Sequence, residues 1–277
     1  MIAIFFNNTK DCKELVIKIR KFLILEKVPH FISGRFPFTN SHTKALKKSS
    51  LLIVVGGDGT VLKSLSLAKN YSIPVMPIHF GTVGFICSVR AGSVIDLLKK
   101  WIRTTSRSDR TINPGYRIDS RSYMLIRYEK REYYAFNDAV ISRGSTGKLL
   151  SIDTYINGVH STAFRADGLI LSTATGSTAY NLSAGGPILH PELDALVFNP
   201  ICPHSFTHKP IVIPGHDIIS VKIDTQPARL EIDGDPVAEI KKNKSVTFCL
   251  ADKKIDLIKP LDENYYSILR EKLKWGI

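Results

Sequence analysis

Two observations predict an α/β N-terminal domain, a Rossmann-like open sheet, followed by an all-β, sandwich-like C-terminal domain. Over the first hundred or so residues, short apolar runs alternate with segments whose apolar residues recur at helical spacing. Further on, short strand-forming runs separated by turn residues take over. The two textures meet at Arg103-Thr-Thr-Ser-Arg-Ser-Asp, a polar stretch that marks a boundary. The expected divisions are 1–104, 105–255 and a tail, 256–277.

The composition narrows the class. The 277 residues are 44% hydrophobic, ample for a packed core. No apolar run approaches the roughly 18 residues that span a bilayer. The apolar start, Met1 to Phe6, has no basic lead-in and reads as a first strand. Cys12, Cys87, Cys202 and Cys249 lie far apart and form no CxxC, which predicts a reducing cytoplasmic setting and no structural zinc. The net charge of +13 is dispersed rather than gathered in a basic stripe interleaved with aromatics. It fits small polyanions such as nucleotides, not nucleic acid.

In the first half, residues 2–6 read as a strand, 12–26 as a helix with Leu15, Ile19, Phe22 and Leu23 on one face, and 28–32 as a second strand. A short helix at 43–48 precedes the central strand, Leu51-Leu52-Ile53-Val54-Val55. This unbroken, β-branched run is the signature of a buried parallel strand. It stops at Gly56-Gly57-Asp58-Gly59-Thr60, and a helical pattern follows with Val61, Leu62, Leu65 and Ala68 on one side. Glycines at a strand-to-helix junction let the backbone approach a ligand, and the helix N-terminus offers N–H groups to phosphate. Asp58 stands inside that cradle. A carboxylate beside phosphates has a use if it accepts a proton or helps hold a metal ion; the plainer alternative is a helix cap. No Gly-Lys-Ser/Thr closes the loop, so it is not a P-loop. Residues 74–79 read as another strand leading into a second tight loop, 80–85, and 93–102 as an amphipathic helix. In open α/β sheets ligands sit at the carboxyl ends of the strands, where both loops fall.

In the second half, strands are expected at 116–119, 123–128, 133–136, 151–156, 168–171, 210–213, 218–223, 228–232 and 246–250. Asn157-Gly158 is a hairpin signal. Asn137-Asp138 sits at the edge of an apolar run and is either an ordinary turn or a polar contact pair. Ser172 to Thr178 are seven small or hydroxylated residues, followed by Tyr180 and by Gly185-Gly186-Pro187. Such a stretch admits a flat ligand and offers hydroxyls and a stacking ring, or else serves a tight crossing of sheets. Asp233-Gly234-Asp235 reads as a hairpin turn, and 265–274 as a final helix with Tyr266, Leu269 and Leu273 on one side.

Taken together, these motifs resemble the bacterial-type NAD kinases (the ATP-NAD kinase family) over nearly the whole chain. Gly56 to Thr60 matches the family's glycine-aspartate loop, which phosphofructokinases and diacylglycerol kinases share. Asn137-Asp138 resembles its Asn-Glu or Asn-Asp pair, and Arg165 to Pro191, Pro200 to His204 and Lys209-Pro210 resemble its long C-terminal signature. The resemblance implies transfer of the γ-phosphate of ATP to the 2′-hydroxyl of the adenosine ribose of NAD, giving NADP, with inorganic polyphosphate an alternative donor. It implies Asp58 as general base, Gly57, Gly59 and Thr60 against phosphate, and Asn137 and Asp138 on the dinucleotide. Lys148 stands where the family has a basic or histidine contact. Arg165, Asp167, Thr175, Thr178, Ala179, Tyr180 and Ser183 line the NAD site, and Asp235 falls where many members have glutamine. A divalent metal, Mg²⁺ carried with ATP, and a homodimer or homotetramer are also implied, as is a final helix packed on the first domain. Ala174 and Val83 replace a common proline and leucine. Two other readings compete: a dinucleotide sensor without turnover, against which Asp58 argues, and a lipid or sugar kinase sharing the glycine loop.

Overall fold

The computed structural model describes residues 1–34, 37, 39–79, 84–87, 89–105, 115–144, 147–224 and 227–274. Most of the second glycine loop (80–83, with Val83) and the polar stretch at 106–110 lie outside them. The chain forms two compact units, Met1–Ser120 with Ile255–Ile277, and Arg121–Lys254.

In the first unit, β1 (Ile2–Phe6), β2 (His30–Ser33), β3 (Leu51–Val55) and β4 (Val75–His79) make a parallel sheet in the order β2-β1-β3-β4, and β4 also pairs with the short β5 (Val89–Arg90). β3 and β4 are buried throughout because both faces of the sheet are covered, which is why their sequences are apolar without alternation. Helices α1 (Lys10–Leu25) and α4 (Val94–Thr105) bury Leu15, Ile19 and Leu23, and Leu97, Leu98 and Trp101, in one core with Ile4, Ile53, Val55 and Ile78. The short α2 (Asn40–Lys47) brings His42 edge-on to Phe5, at 5.3 Å between ring centres. Helix α3 (Asp58–Ala68) follows β3. Its buried residues are Val61, Ser64, Leu65 and Ala68, whereas Leu62, expected on that face, is half-buried. Ser64 takes the place because its hydroxyl donates to the Thr60 carbonyl at 2.9 Å and so is satisfied without water.

The second unit is a sandwich. The strands are β6 (Tyr116–Tyr128), whose first residues belong to the first unit, β7 (Arg131–Ala135), β8 (Asp138–Arg143), β9 (Leu150–Ile156), β10 (Val159–Ala166), β11 (Gly168–Thr173), β12 (Ala195–Ile201), β13 (Ile211–Pro214), β14 (Ile219–Ile223), β15 (Ala228–Ile232), β16 (Asp235–Ile240) and β17 (Ser245–Pro260). One antiparallel layer runs β13-β12-β11-β8-β15-β16; the other contains β10-β9-β14-β17, with β6 paired to β7 and β17. Their inner faces share one core, with Ile141, Leu169, Leu171, Phe198 and Leu230 from the first layer and Ile152, Phe164, Val221 and Phe248 from the second. At the Asn157-Gly158 turn both residues have positive φ, 51° and 80°, the geometry that selects Asn-Gly.

Three elements depart most from the sequence reading, and one is β17, which runs to Pro260 where a strand of 246–250 was expected. Residues 116–128 are a single strand, not two, because the charges at its centre, Asp119 and Arg121, are buried rather than at a break. β12 was not expected at all: Asn199 and Pro200 disguise it. Asn199 is buried there because its amide donates to Asn181 Oδ1 at 3.1 Å.

The chain returns to the first unit in the last residues of β17, where Leu257 pairs with Val75 of β4. Helix α6 (Tyr265–Leu273) then buries Ile268 and Leu269. Tyr266, expected on that face, points outward: its N–H donates to the Asn264 side chain at 2.8 Å, fixing it in the first turn. The buried Lys259 ammonium lies 2.9 Å from Asp119 and 2.7 Å from Glu263. Two carboxylates removed from water on either side of one ammonium depend on it. Lys259→Met alone should therefore destabilise the protein by about 3–5 kcal/mol, read as a lower urea midpoint. Replacing Asp119, Lys259 and Glu263 together by apolar residues should recover most of that loss, and equal losses in the two variants would remove the ion triad as the cause.

Candidate functional site

The glycine loop closes over the carboxyl end of β3. Gly57 is the N-cap of α3, so Asp58 opens the helix rather than standing in a loop, and Gly59 and Thr60 complete its first turn. The Asp58 side chain does not cap this helix. It reaches across to a second turn, where the Cys87 N–H donates to Oδ1 at 3.0 Å, and that turn is closed by the Gly84 N–H donating to the Cys87 carbonyl at 2.9 Å. Gly84 lies directly against the carboxylate, with no room for a side chain. Gly57 and Gly59 are different. Both are exposed, and a Cβ on either would meet nothing within 4 Å. The fold does not need glycine there on steric grounds, so the open space is available to a ligand at the N-terminus of a helix, where the dipole and N–H groups favour phosphate.

In the second unit the polar pair Asn137-Asp138 is organised by a residue the sequence reading left as plain turn chemistry. The Asp233 carboxylate accepts from the N–H groups of Phe136 (2.8 Å), Asn137 (2.7 Å) and Asp138 (3.2 Å), and the Asp233 N–H donates back to the Asp138 carbonyl (3.0 Å). Asp233 adopts φ 50° at the β15–β16 turn, tolerable for aspartate and useful because it turns the side chain toward β8. The small-residue stretch docks on the same pair. The Thr173 hydroxyl donates to the Phe136 carbonyl at 2.7 Å and accepts from the Gly176 N–H at 3.1 Å, while Gly176 packs against the Asn137 backbone so closely that no Cβ fits. Thr175 to Thr178 form a 3₁₀ turn and Tyr180 to Ser183 a single turn of helix, α5. Arg121, buried and not singled out from sequence, donates to the Thr175 hydroxyl at 3.1 Å. Its place in the strand's alternation, two residues before the buried Tyr123, is the signal that could have found it.

The two ends of the β8–β11 strand pair divide the other expected residues. Asp138 pairs with Ser172 at one end, and Ser142 with Gly168 at the other. Asn137, Asp138, Thr175, Thr178, Ala179 and Tyr180 cluster at the first end, with Tyr180 48% exposed and its ring open to a ligand. Asp235 follows the Asp233-Gly234 turn there, exposed, and its charge acts on Asp233. Ser183 is exposed on α5. Asp167 is at the other end, 3.0 Å from Arg143, which also donates to the Gly147 carbonyl beside the exposed Lys148. Arg165 is exposed nearby, its carbonyl accepting from the His204 N–H. By strand rise the two ends are roughly 15 Å apart. Within the unit, therefore, Lys148, Arg165 and Asp167 are not gathered with Asn137 and Asp138.

Burial, and then the charge of Asp233, push the Asp138 carboxyl up to about 7 against an ordinary 3.8, while the Tyr180 N–H bonded to it pulls the other way. At about 1.4 kcal/mol per pKa unit, ionising Asp138 in the folded chain costs on the order of 4 kcal/mol more than in the unfolded one. The folded state holds the proton where the unfolded state has released it, so this contribution is complete below about pH 4 and lost as pH rises through about 7. Asp138→Asn should therefore flatten the decline of melting temperature over that interval. An unchanged slope in calorimetry would place the carboxyl elsewhere.

Residues 8–105 match the ATP-NAD kinase N-terminal domain, and residues 136–260 match the ATP-NAD kinase C-terminal domain. The NAD kinase of Sulfurimonas denitrificans is 36% identical over 240 residues, 85% of this chain and 81% of that protein. That of Caldicellulosiruptor saccharolyticus is 32% identical over 275 residues, 99% of each. Among solved structures, yeast NADH kinase complexed with NADH superposes with a TM-score of 0.88 at 23% identity, covering 99% of this chain and 87% of that one. An NAD kinase from Archaeoglobus fulgidus in complex with ATP gives 0.79 at 22% identity, covering 98% and 99%. These two show the shared fold of an α/β unit and a β-sandwich. With both family domains matched in order around the glycine loop and the Asn137–Asp138 pair, the chain belongs to the ATP-NAD kinase family.

Proposed function

We propose that this chain transfers the γ-phosphoryl group of ATP to the 2′-hydroxyl of the adenosine ribose of NAD, with Asp58 as general base. The observation that carries this reading is the placement of one carboxylate at the first turn of α3, between two glycines that leave open space for phosphate. As the 2′-oxygen attacks the γ-phosphorus, the bond from that phosphorus to the β,γ-bridging oxygen breaks and ADP leaves. The hydroxyl proton passes to Asp58. Positioning and charge stabilisation supply most of the rate in such a transfer. The helix N-terminus and the backbone of Gly57 to Thr60 offer both to the phosphates. Asn137, Asp138, Thr175, Thr178, Ala179 and Tyr180 serve the dinucleotide, with Tyr180 offering a face for stacking.

Among the described residues no cluster of three or more His, Cys, Asp or Glu could hold a metal ion. Mg²⁺ would arrive on the phosphates of ATP as part of the substrate, where it would neutralise charge on the transferring group. The proposal extends to a cytoplasmic, homo-oligomeric enzyme. Four free cysteines support the compartment, and the exposed Ile211 and Val212 of β13, with Phe206 in the turn before it, support association.

With NAD, MgATP and an NADP-specific dehydrogenase as reporter, the wild type should make NADP and Asp58→Asn should lose roughly 10²–10⁴ in kcat. Equal rates would remove Asp58 from the mechanism, and no NADP from the wild type would overturn the reaction. Gly59→Ala should raise the melting temperature, since glycine in a helix costs up to about 1 kcal/mol relative to alanine, while raising KM for ATP. A variant with unchanged KM would mean that phosphate does not approach Gly59.

A further inference from the structure

We propose that the Gly84–Cys87 turn is a positioning clamp for the Asp58 carboxylate, with the Cys87 backbone N–H as its donor. This rests on Asp58 being the general base. A base on the first residue of a helix has free side-chain rotation unless something outside the helix holds it. Here the helix itself supplies nothing, because its N-cap is Gly57 and the Asp58 side chain bonds away from it.

Two contacts fix the carboxylate instead. The Cys87 N–H donates to Oδ1 at 3.0 Å. The Gly84 backbone closes under both oxygens at a distance no side chain would allow, and the Gly84 N–H to Cys87 carbonyl bond makes the turn one rigid piece. The Cys87 side chain is fully buried. Burial first, then the nearby Asp58 carboxylate, raises its thiol well above the ordinary range, against the opposing pull of Lys259 and Lys272. The thiol therefore stays neutral and adds no second negative charge beside the base. A carboxylate whose Oδ1 accepts from a fixed backbone N–H keeps that oxygen occupied and presents the other in a defined direction, which general-base catalysis needs.

The test uses the full chain and the NADP assay with saturation kinetics in both substrates. Gly84→Ala drives a methyl group into the carboxylate and should cost about 100-fold in kcat, the scale of an ångström of misplacement, in a protein whose far-ultraviolet circular dichroism matches wild type. In the Asp58→Asn background, Gly84→Ala should cost nothing further, because a residue that acts through Asp58 has nothing left to position. A wild-type kcat for Gly84→Ala, or a loss of the same size with and without Asp58, would overturn the clamp while leaving the base assignment intact. A fully active Asp58→Asn would overturn both.

Discussion

Much of the second unit's ligand end depends on one carboxylate. Asp233 accepts three consecutive main-chain N–H groups, from Phe136 to Asp138, and so fixes the segment joining β7 to β8. Without that acceptor, three N–H groups at the mouth of a buried sheet would be left unpaired, each at a cost of about 1–3 kcal/mol. With it, the carbonyls of Phe136 and Asn137 point back toward β11, where Thr173 donates to both, from its hydroxyl and its N–H respectively. The small-residue stretch can then close onto the Asn137 backbone, which requires Gly176. The ring of Tyr180 and the buried Asp138 carboxyl are both placed by this chain of contacts, which begins at a hairpin turn some hundred residues away in sequence.

This order of dependence explains what could be read from the sequence and what could not. β3 and its glycine loop were legible because each step is local: a fully apolar run can only be a doubly covered strand, and glycines at its end can only serve a turn or a close approach. The Asn157-Gly158 hairpin was legible for the same reason. Asp233 was not, since Asp-Gly at a two-residue turn satisfies every local rule, and its partners are remote. Arg121, Lys259 and Asp119 were missed because a charge within a strand reads as solvent-facing until its partner is known. The same error broke β6 in two, and the polar Asn199 hid β12. Each miss is a buried polar group whose compensation comes from distant parts of the chain.

The glycines show how the structure adds what the letters lack. Gly84, Gly176 and Gly186 are required by the protein: a Cβ on them would run into the Asp58 carboxylate, the Asn137 backbone and the Asn181 amide. Gly57 and Gly59 face open space, and Gly57 has φ −86°, which any residue adopts. From sequence alone, Gly59 and Gly84 carry the same meaning. In the fold, one is demanded from inside and the other from outside.

That distinction locates where the molecule gives up stability. Gly59 weakens the start of α3, and Asp138 is held in a place that resists its ionisation. The Tyr180 N–H meets only part of the Asp138 cost, and in the proposed reaction each feature lies where a ligand group of opposite need would stand: phosphate against the helix N-terminus, and hydroxyl or amide donors against the buried carboxyl. The compensated costs are different in kind. Lys259 between Asp119 and Glu263, and Asp233 among three N–H groups, are expensive groups whose partners belong to the protein. Compensated burial holds each unit together within itself, and the two costs left over fall where the proposed ligands would meet the chain.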